Sequence, residues 1–117
     1  MKILICGDRN WDDPWAIYDV ISKLDRNTVI IHGAAPGADT LADTIAKKLG
    51  FEVIPFPAEW ARYGKAAGPI RNRKMLDEEP DKVIAFHNDI ENSKGTKDCK
   101  EEAEKRGILV DLVSIIK

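Results

Sequence analysis

A three-layer α/β/α domain on a five-stranded parallel sheet, in the order 3-2-1-4-5, is predicted by three features of this sequence. Five short runs rich in β-branched and apolar residues lack the polar alternation of a half-exposed strand, so both of their faces are expected to be covered. Amphipathic helical spacing separates them, and glycine or proline marks most of the joints. Strand and helix alternating in this way imply right-handed crossovers and a parallel sheet clothed on both sides.

The first strand is expected over Lys2 to Cys6 and stops at Gly7-Asp8-Arg9-Asn10-Trp11. Asp13 then reads as a helix N-cap with Pro14 at the first helical position, and Ile17, Val20, Ile21 and Leu24 keep one apolar face. The second strand, Thr28 to His32, runs through His32-Gly-Ala-Ala-Pro-Gly-Ala-Asp39 into a helix whose Ala38, Leu41, Ala42, Ile45, Ala46 and Leu49 share a face, with Gly50 as its terminator. Phe51 to Phe56 is the third strand. A loop from Pro57 to Gly68 leads to a helix expected to begin at Pro69. Asp81 to Phe86 is the fourth strand, and Ser93 or Thr96 is positioned to cap a helix that runs to about Arg106 and stops at Gly107. Ile108 to Val113 completes the sheet, leaving Ser114 to Lys117 as a tail.

The 117 residues suffice for one domain, 1–117, with a single core and no need of metal or disulfide. A formal net charge of −2 argues against a protein devoted to coating nucleic acid. No apolar stretch approaches the roughly 20 residues of a membrane helix, and Ile3 to Cys6 is too short for a signal peptide, so a cytoplasmic protein is expected. Cys6 and Cys99 fall in no metal or redox spacing and read as reduced thiols in or near the core.

In a sheet of this order the strand-to-helix loops emerge on one edge, and ligands sit where the strand order reverses, between the first and fourth strands. The unusual residues gather on those loops. Gly33 and Gly37 lie ahead of a helix N-terminus, an arrangement that favours anions. Asp39 competes for the same N–H groups, either capping the helix or turning to a ribose hydroxyl, with the cap preferred. From Trp60 to Leu76 no acidic residue occurs, whereas Arg62, Lys65, Arg71, Arg73 and Lys74 do. With Pro69 at the first position, Arg71 and Asn72 fall in the first turn, and the planar fork of Arg71 suits a phosphate. Arg9 follows a central strand by three residues. Trp11 and Trp60 either stack on a base or pack against neighbouring loops. Ser93, Gly95 and Thr96 repeat a glycine-plus-hydroxyl helix start. No metal site or nucleophilic triad can be read from His32 and His87. Mg²⁺ has candidate carboxylates in Asp8, Asp12 and Asp13, to be recruited with a nucleotide ligand and not otherwise required.

Gly7-Asp8-Arg9-Asn10-Trp11, His32-Gly33 with Gly37-Ala38-Asp39, Phe56-Pro57-Ala58-Glu59-Trp60, Gly64 to Pro69 with Arg71-Asn72, Ala85-Phe86, and Ser93 with Gly95-Thr96 together resemble the YspA-like branch of the SLOG superfamily. The resemblance covers nearly the whole chain. It implies a Rossmann-like fold and the binding or processing of nucleotides or nucleotide-derived signals. The superfamily includes the Lonely-guy phosphoribohydrolases, which release a base from a nucleoside monophosphate with an arginine and a glutamate. Arg71 resembles that arginine and Gly95-Thr96 their phosphate loop, but Cys99 stands where the glutamate would fall, and the preceding glycine pair is replaced around His87-Asn88-Asp89.

The expected function is therefore binding of a nucleotide or ADP-ribose-type small molecule at Gly7, Arg9, Trp11, His32, Gly33, Gly37, Asp39, Trp60, Lys65, Arg71, Asn72, Ser93, Gly95 and Thr96. The alternative is an N-glycosidase-like hydrolase with Arg71 stabilising charge and Asp39, Asp98 or Glu102 as acid or base. Single-stranded DNA binding ranks last on net charge, and self-association is left open.

Overall fold

The computed structural model describes residues 1–115; the last two residues of the expected tail lie outside them. Five strands, β1 (Lys2–Gly7), β2 (Val29–His32), β3 (Glu52–Pro55), β4 (Lys82–Phe86) and β5 (Leu109–Val113), pair in the order β3-β2-β1-β4-β5, all parallel. This is the expected order, and the fold is Rossmann-like. Leu4, Ile5, Ile30, Ile31, Val83 and Ala85 are fully buried, which explains the unbroken apolar runs of the three inner strands.

Helices α1 (Pro14–Ile21) and α2 (Ala38–Lys48) cover one face, where Ile3, Ile5, Ile30, Ile84 and Phe86 meet Ile17, Ile21, Ala42 and Ala46. On the other face α4 (Ala67–Leu76) and α5 (Gly95–Lys105) bring Met75, Leu76, Cys99 and Ala103 onto Leu4, Ile31, Val83 and Ala85. Helix sides change between β1 and β4, because β1 and β2 are followed by helices on the first face and β3 and β4 by helices on the second. Both cysteines are free and buried. No helix of the described residues is long and apolar enough to cross a membrane.

The joints follow the sequence closely. Asp13 Oδ1 accepts from the Trp15 and Ala16 N–H groups at 3.0 and 3.4 Å, with Pro14 opening α1. Lys94 holds the N-cap position of α5 without a side-chain cap bond; Ser93, one residue earlier, accepts from Lys97 N–H through Oγ at 3.0 Å, whereas Thr96 lies inside the first turn and is buried. The segment before α4 differs from the expected loop. Trp60–Tyr63 forms a turn of helix, α3, and a 3-10 turn at Gly64–Ala66 runs directly into α4. That helix begins two residues ahead of Pro69. Proline is accommodated because N–H groups in the first turn need no intrahelical acceptor. Arg71 consequently sits at the fifth helical position, beyond the first turn, where the helix dipole opposes it little.

Candidate functional site

Four loops meet over the carboxyl ends of β1 and β4. The loop after β1 is stitched down by Asp8, whose N–H donates to Phe86 O at 2.8 Å and whose carbonyl accepts from Trp11 and Ala38 N–H. Gly7 leaves no room for a side chain, since a Cβ there would overlap Phe86 O and the Ala38 methyl group. Gly37, at φ +78°, lies against the backbone of Asp8 and Arg9. The turns after β1 and β2 are thus packed backbone to backbone, a close approach that glycine alone permits.

The β2–α2 turn is held from both sides at Gly33. Its N–H donates to Asp39 Oδ2 at 3.1 Å, and its carbonyl accepts from Arg71 Nη1. The Arg71 guanidinium fills the space a Gly33 side chain would occupy, and its Nε donates to Asn72 Oδ1 at 2.9 Å. Asn72 in turn donates to Gly95 O at 3.2 Å and Asp98 Oδ2 at 3.0 Å. A continuous chain of hydrogen bonds therefore links the β2–α2 turn, α4 and the start of α5. The sequence reading placed these segments at one edge, and they are physically joined there.

Several residues singled out in the sequence turn out to be committed elsewhere. Trp11 is buried against Phe86, edge to face at 5.6 Å, with its indole N–H on Asp13 O, so it is a packing residue and presents no stacking face. His32 is buried, its Nε2 2.8 Å from Asp43 Oδ1 and its Nδ1 accepting from Ala34 N–H. That second bond fixes the deprotonated nitrogen and makes His32 an anchor for a turn in which Ala34 is left-handed, at φ 55°. His87 repeats the device after β4, its Nδ1 accepting from Asp89 N–H at 2.9 Å; nothing in the spacing of the two histidines pointed to this role. Asn72 and Thr96 are buried. Asp98 and Glu102, offered as acid or base, are engaged by Arg73 at 3.4 and 3.2 Å, and Glu102 also by Arg106 at 3.1 Å.

Asp39 does not cap α2; Gly37 occupies that position and offers no side chain. The carboxylate folds back into the preceding turn and accepts from Gly33 and Ala35 N–H. Burial pushes its pKa up, against the opposing influence of the Ala35 N–H, His32, Arg71 and the Gly33 N–H. The turn's N–H groups, expected to cradle a phosphate, thus already hold an internal carboxylate. Cys6 is also pushed well up, first by the Cys99 thiol and then by burial, which keeps it a protonated, unreactive thiol.

What remains open on this edge is cationic. Arg9, Lys65 and Lys94 are exposed and form no ion pair among the described residues, and Arg71 bonds only to neutral groups. Gly95, in the first turn of α5, faces open space. Trp60 lays its ring edge 3.5 Å from the Cβ position of Gly68 and remains 56% exposed. Among the described residues no three His, Cys, Asp or Glu side chains gather as a metal site. Asp8 spends Oδ1 on Asn10 N–H and Asp13 caps α1.

Comparison with known proteins places these features in a family. The chain is 38% identical to the Gene 61 protein of Mycobacterium phage D29 over 118 residues, covering 93% of each. Its fold matches the X-ray structure of DNA processing protein A (DprA) from Streptococcus pneumoniae with a TM-score of 0.76 at 22% identity, over 99% of this chain and 50% of that one. The chain thus spans about half the length of that DprA chain. Residues 1–63, which contain the stitched β1 loop and the Asp39-filled turn, match the model of the YspA, cpYpsA-related SLOG family, and the chain belongs to that family.

Proposed function

We propose that the chain binds a nucleotide-derived small molecule at the carboxyl edge of its sheet, as a sensor or processing domain. One observation carries the reading. In a chain of net charge −2, Arg9, Lys65 and Lys94 on the loops and turns of this edge, and Arg71 in α4, have no carboxylate partner among the described residues and stand with the open first turn of α5. The free N–H groups of a helix start and nearby cations are what a phosphate requires. In this reading the phosphate lies between Arg9 and Gly95-Thr96, with Ser93 shaping the helix start and Arg71 in reach of the ligand through its free Nη2. The nucleotide association implied by the SLOG resemblance agrees with this assignment.

Binding is favoured over N-glycosidase chemistry because Asp98 and Glu102 are held in ion pairs with arginines and Asp39 is buried within its own turn. Calorimetric titration with AMP, ADP-ribose and NAD tests the proposal. Binding by at least one, weakened by Arg9→Ala or Lys94→Ala, is expected, and no binding by any of the three would defeat it. Single-stranded DNA is a second reading, favoured by exposed Trp60 beside Arg62 and Lys65 and by the name of the DprA neighbour. It requires a strongly salt-dependent shift of a labelled oligonucleotide that Trp60→Ala removes.

A further inference from the structure

The β2–α2 turn already holds an anion, and the anion belongs to the chain. Asp39 is only 5% exposed; its Oδ2 bridges the Gly33 and Ala35 N–H groups, while its Oδ1 is buried with no hydrogen-bond partner among the described residues. An ionised carboxylate offers about four acceptor sites, so two bonds on one oxygen leave it poorly solvated. The titratable and charged groups facing it are Cys6 from β1, His32 from β2 and Arg71 from α4. His32 is bonded onward to Asp43 of α2. The loop carrying Asp8 and Arg9 packs its backbone on Gly37, two residues away. Among these only Arg71 carries a permanent positive charge, and its guanidinium bonds to Gly33 O and Asn72 Oδ1 rather than to Asp39.

We infer that docking of a phosphate dianion on this edge is coupled to proton uptake by Asp39, so that the edge holds phosphate more tightly as pH falls. The inference rests on the nucleotide reading above and adds how that site is regulated. Two effects act in the same direction. The dianion brings negative charge toward a buried carboxylate with one oxygen unbonded, in a setting where water screens weakly. It also competes for Arg71, whose positive charge now favours the ionised form of Asp39. A protonated Asp39 relieves both and still accepts from Gly33 and Ala35 through Oδ2. The ionised form, conversely, repels the ligand.

The carboxyl ¹³C resonance of Asp39, followed through a pH titration with and without saturating AMP, reads this group alone and is blind to the titration of AMP itself. The expected result is an upward move of its midpoint by about one pH unit or more with AMP, equivalent to roughly tenfold coupling. Asp39→Asn is then expected to bind AMP about tenfold more tightly than the wild type at pH 8. If AMP perturbs the Arg9 and Gly95 amides yet leaves the Asp39 midpoint in place, the coupling is wrong and the binding site stands. If AMP perturbs neither amide, the binding reading fails and the coupling fails with it.

Discussion

Gly95→Ala separates a glycine kept for ligand access from one kept for the fold. Gly95 opens α5, has no positive φ, and no atom lies within 4 Å of the position its Cβ would take. The substitution therefore creates no clash. By removing the conformational freedom that glycine gives the unfolded chain it should stabilise the domain by about 0.5 to 1 kcal/mol, raising the melting temperature by about 2 to 5 °C at this size. A helical Cβ tilts toward the helix N-terminus, so the new methyl group would project over the N–H groups assigned to phosphate. Losing one charge-assisted hydrogen bond costs about 1.5 to 3 kcal/mol, or roughly 10- to 100-fold in affinity for AMP. Differential scanning fluorimetry and calorimetry on the same preparation read both effects. A variant that melts higher but binds AMP as the wild type does would refute the placement of phosphate at this turn.

The other glycines should behave differently. Gly37→Ala combines a left-handed φ with overlap on the Asp8 and Arg9 backbone, neither of which can yield, and should cost more than about 2 kcal/mol in urea unfolding. Gly33→Ala meets first the guanidinium of Arg71, the far end of a long side chain, so its cost should be the lost charge-assisted Arg71 bond, about 1.5 to 3 kcal/mol. The pKa of Asp39 is raised in the folded state, so its favourable contribution is complete below the unfolded carboxylate pKa and is lost as pH rises through the folded value. Asp39→Asn should therefore gain stability relative to the wild type as pH rises above the ordinary carboxylate range. In Asp43 burial is outweighed by the His32 and Lys47 bonds, which lower its pKa. Its contribution is present above the unfolded pKa and lost as pH falls through the folded one, so Asp43→Asn should flatten the acid side of the profile. Arg73→Ala, at a half-exposed ion pair, should cost no more than about 1 kcal/mol and leave AMP affinity unchanged.

The strand order was legible in the sequence because buried parallel strands need continuous apolar runs and because helix caps such as Asp13-Pro14 and stops such as Gly50 and Gly107 are chemically explicit. The convergence of Gly33, Arg71, Asn72 and Gly95 on one edge followed from that order. What each side chain does there was less legible, since it depends on atoms far apart in sequence. Of the two readings the sequence leaves for Trp11, stacking or packing, Phe86 beside it selects packing. The first-turn placement of Arg71 assumed that Pro69 begins α4, but proline is tolerated anywhere in a first turn, and α3 with its 3-10 extension set the helix start earlier. For Asp39 the sequence offers a helix cap or a ribose partner and favours the cap; folding back onto the N–H groups of Gly33 and Ala35 was not among its readings.

The site itself is tested most directly by amide shift mapping of the ¹⁵N-labelled protein titrated with AMP, ADP-ribose and NAD in turn. A ligand held between β1 and β4 should move Gly7 to Asn10 and Ser93 to Thr96 together, with Gly33 following as Arg71 readjusts. Shifts confined to the opposite edge of the sheet, or none with any of the three ligands, would contradict a nucleotide site here.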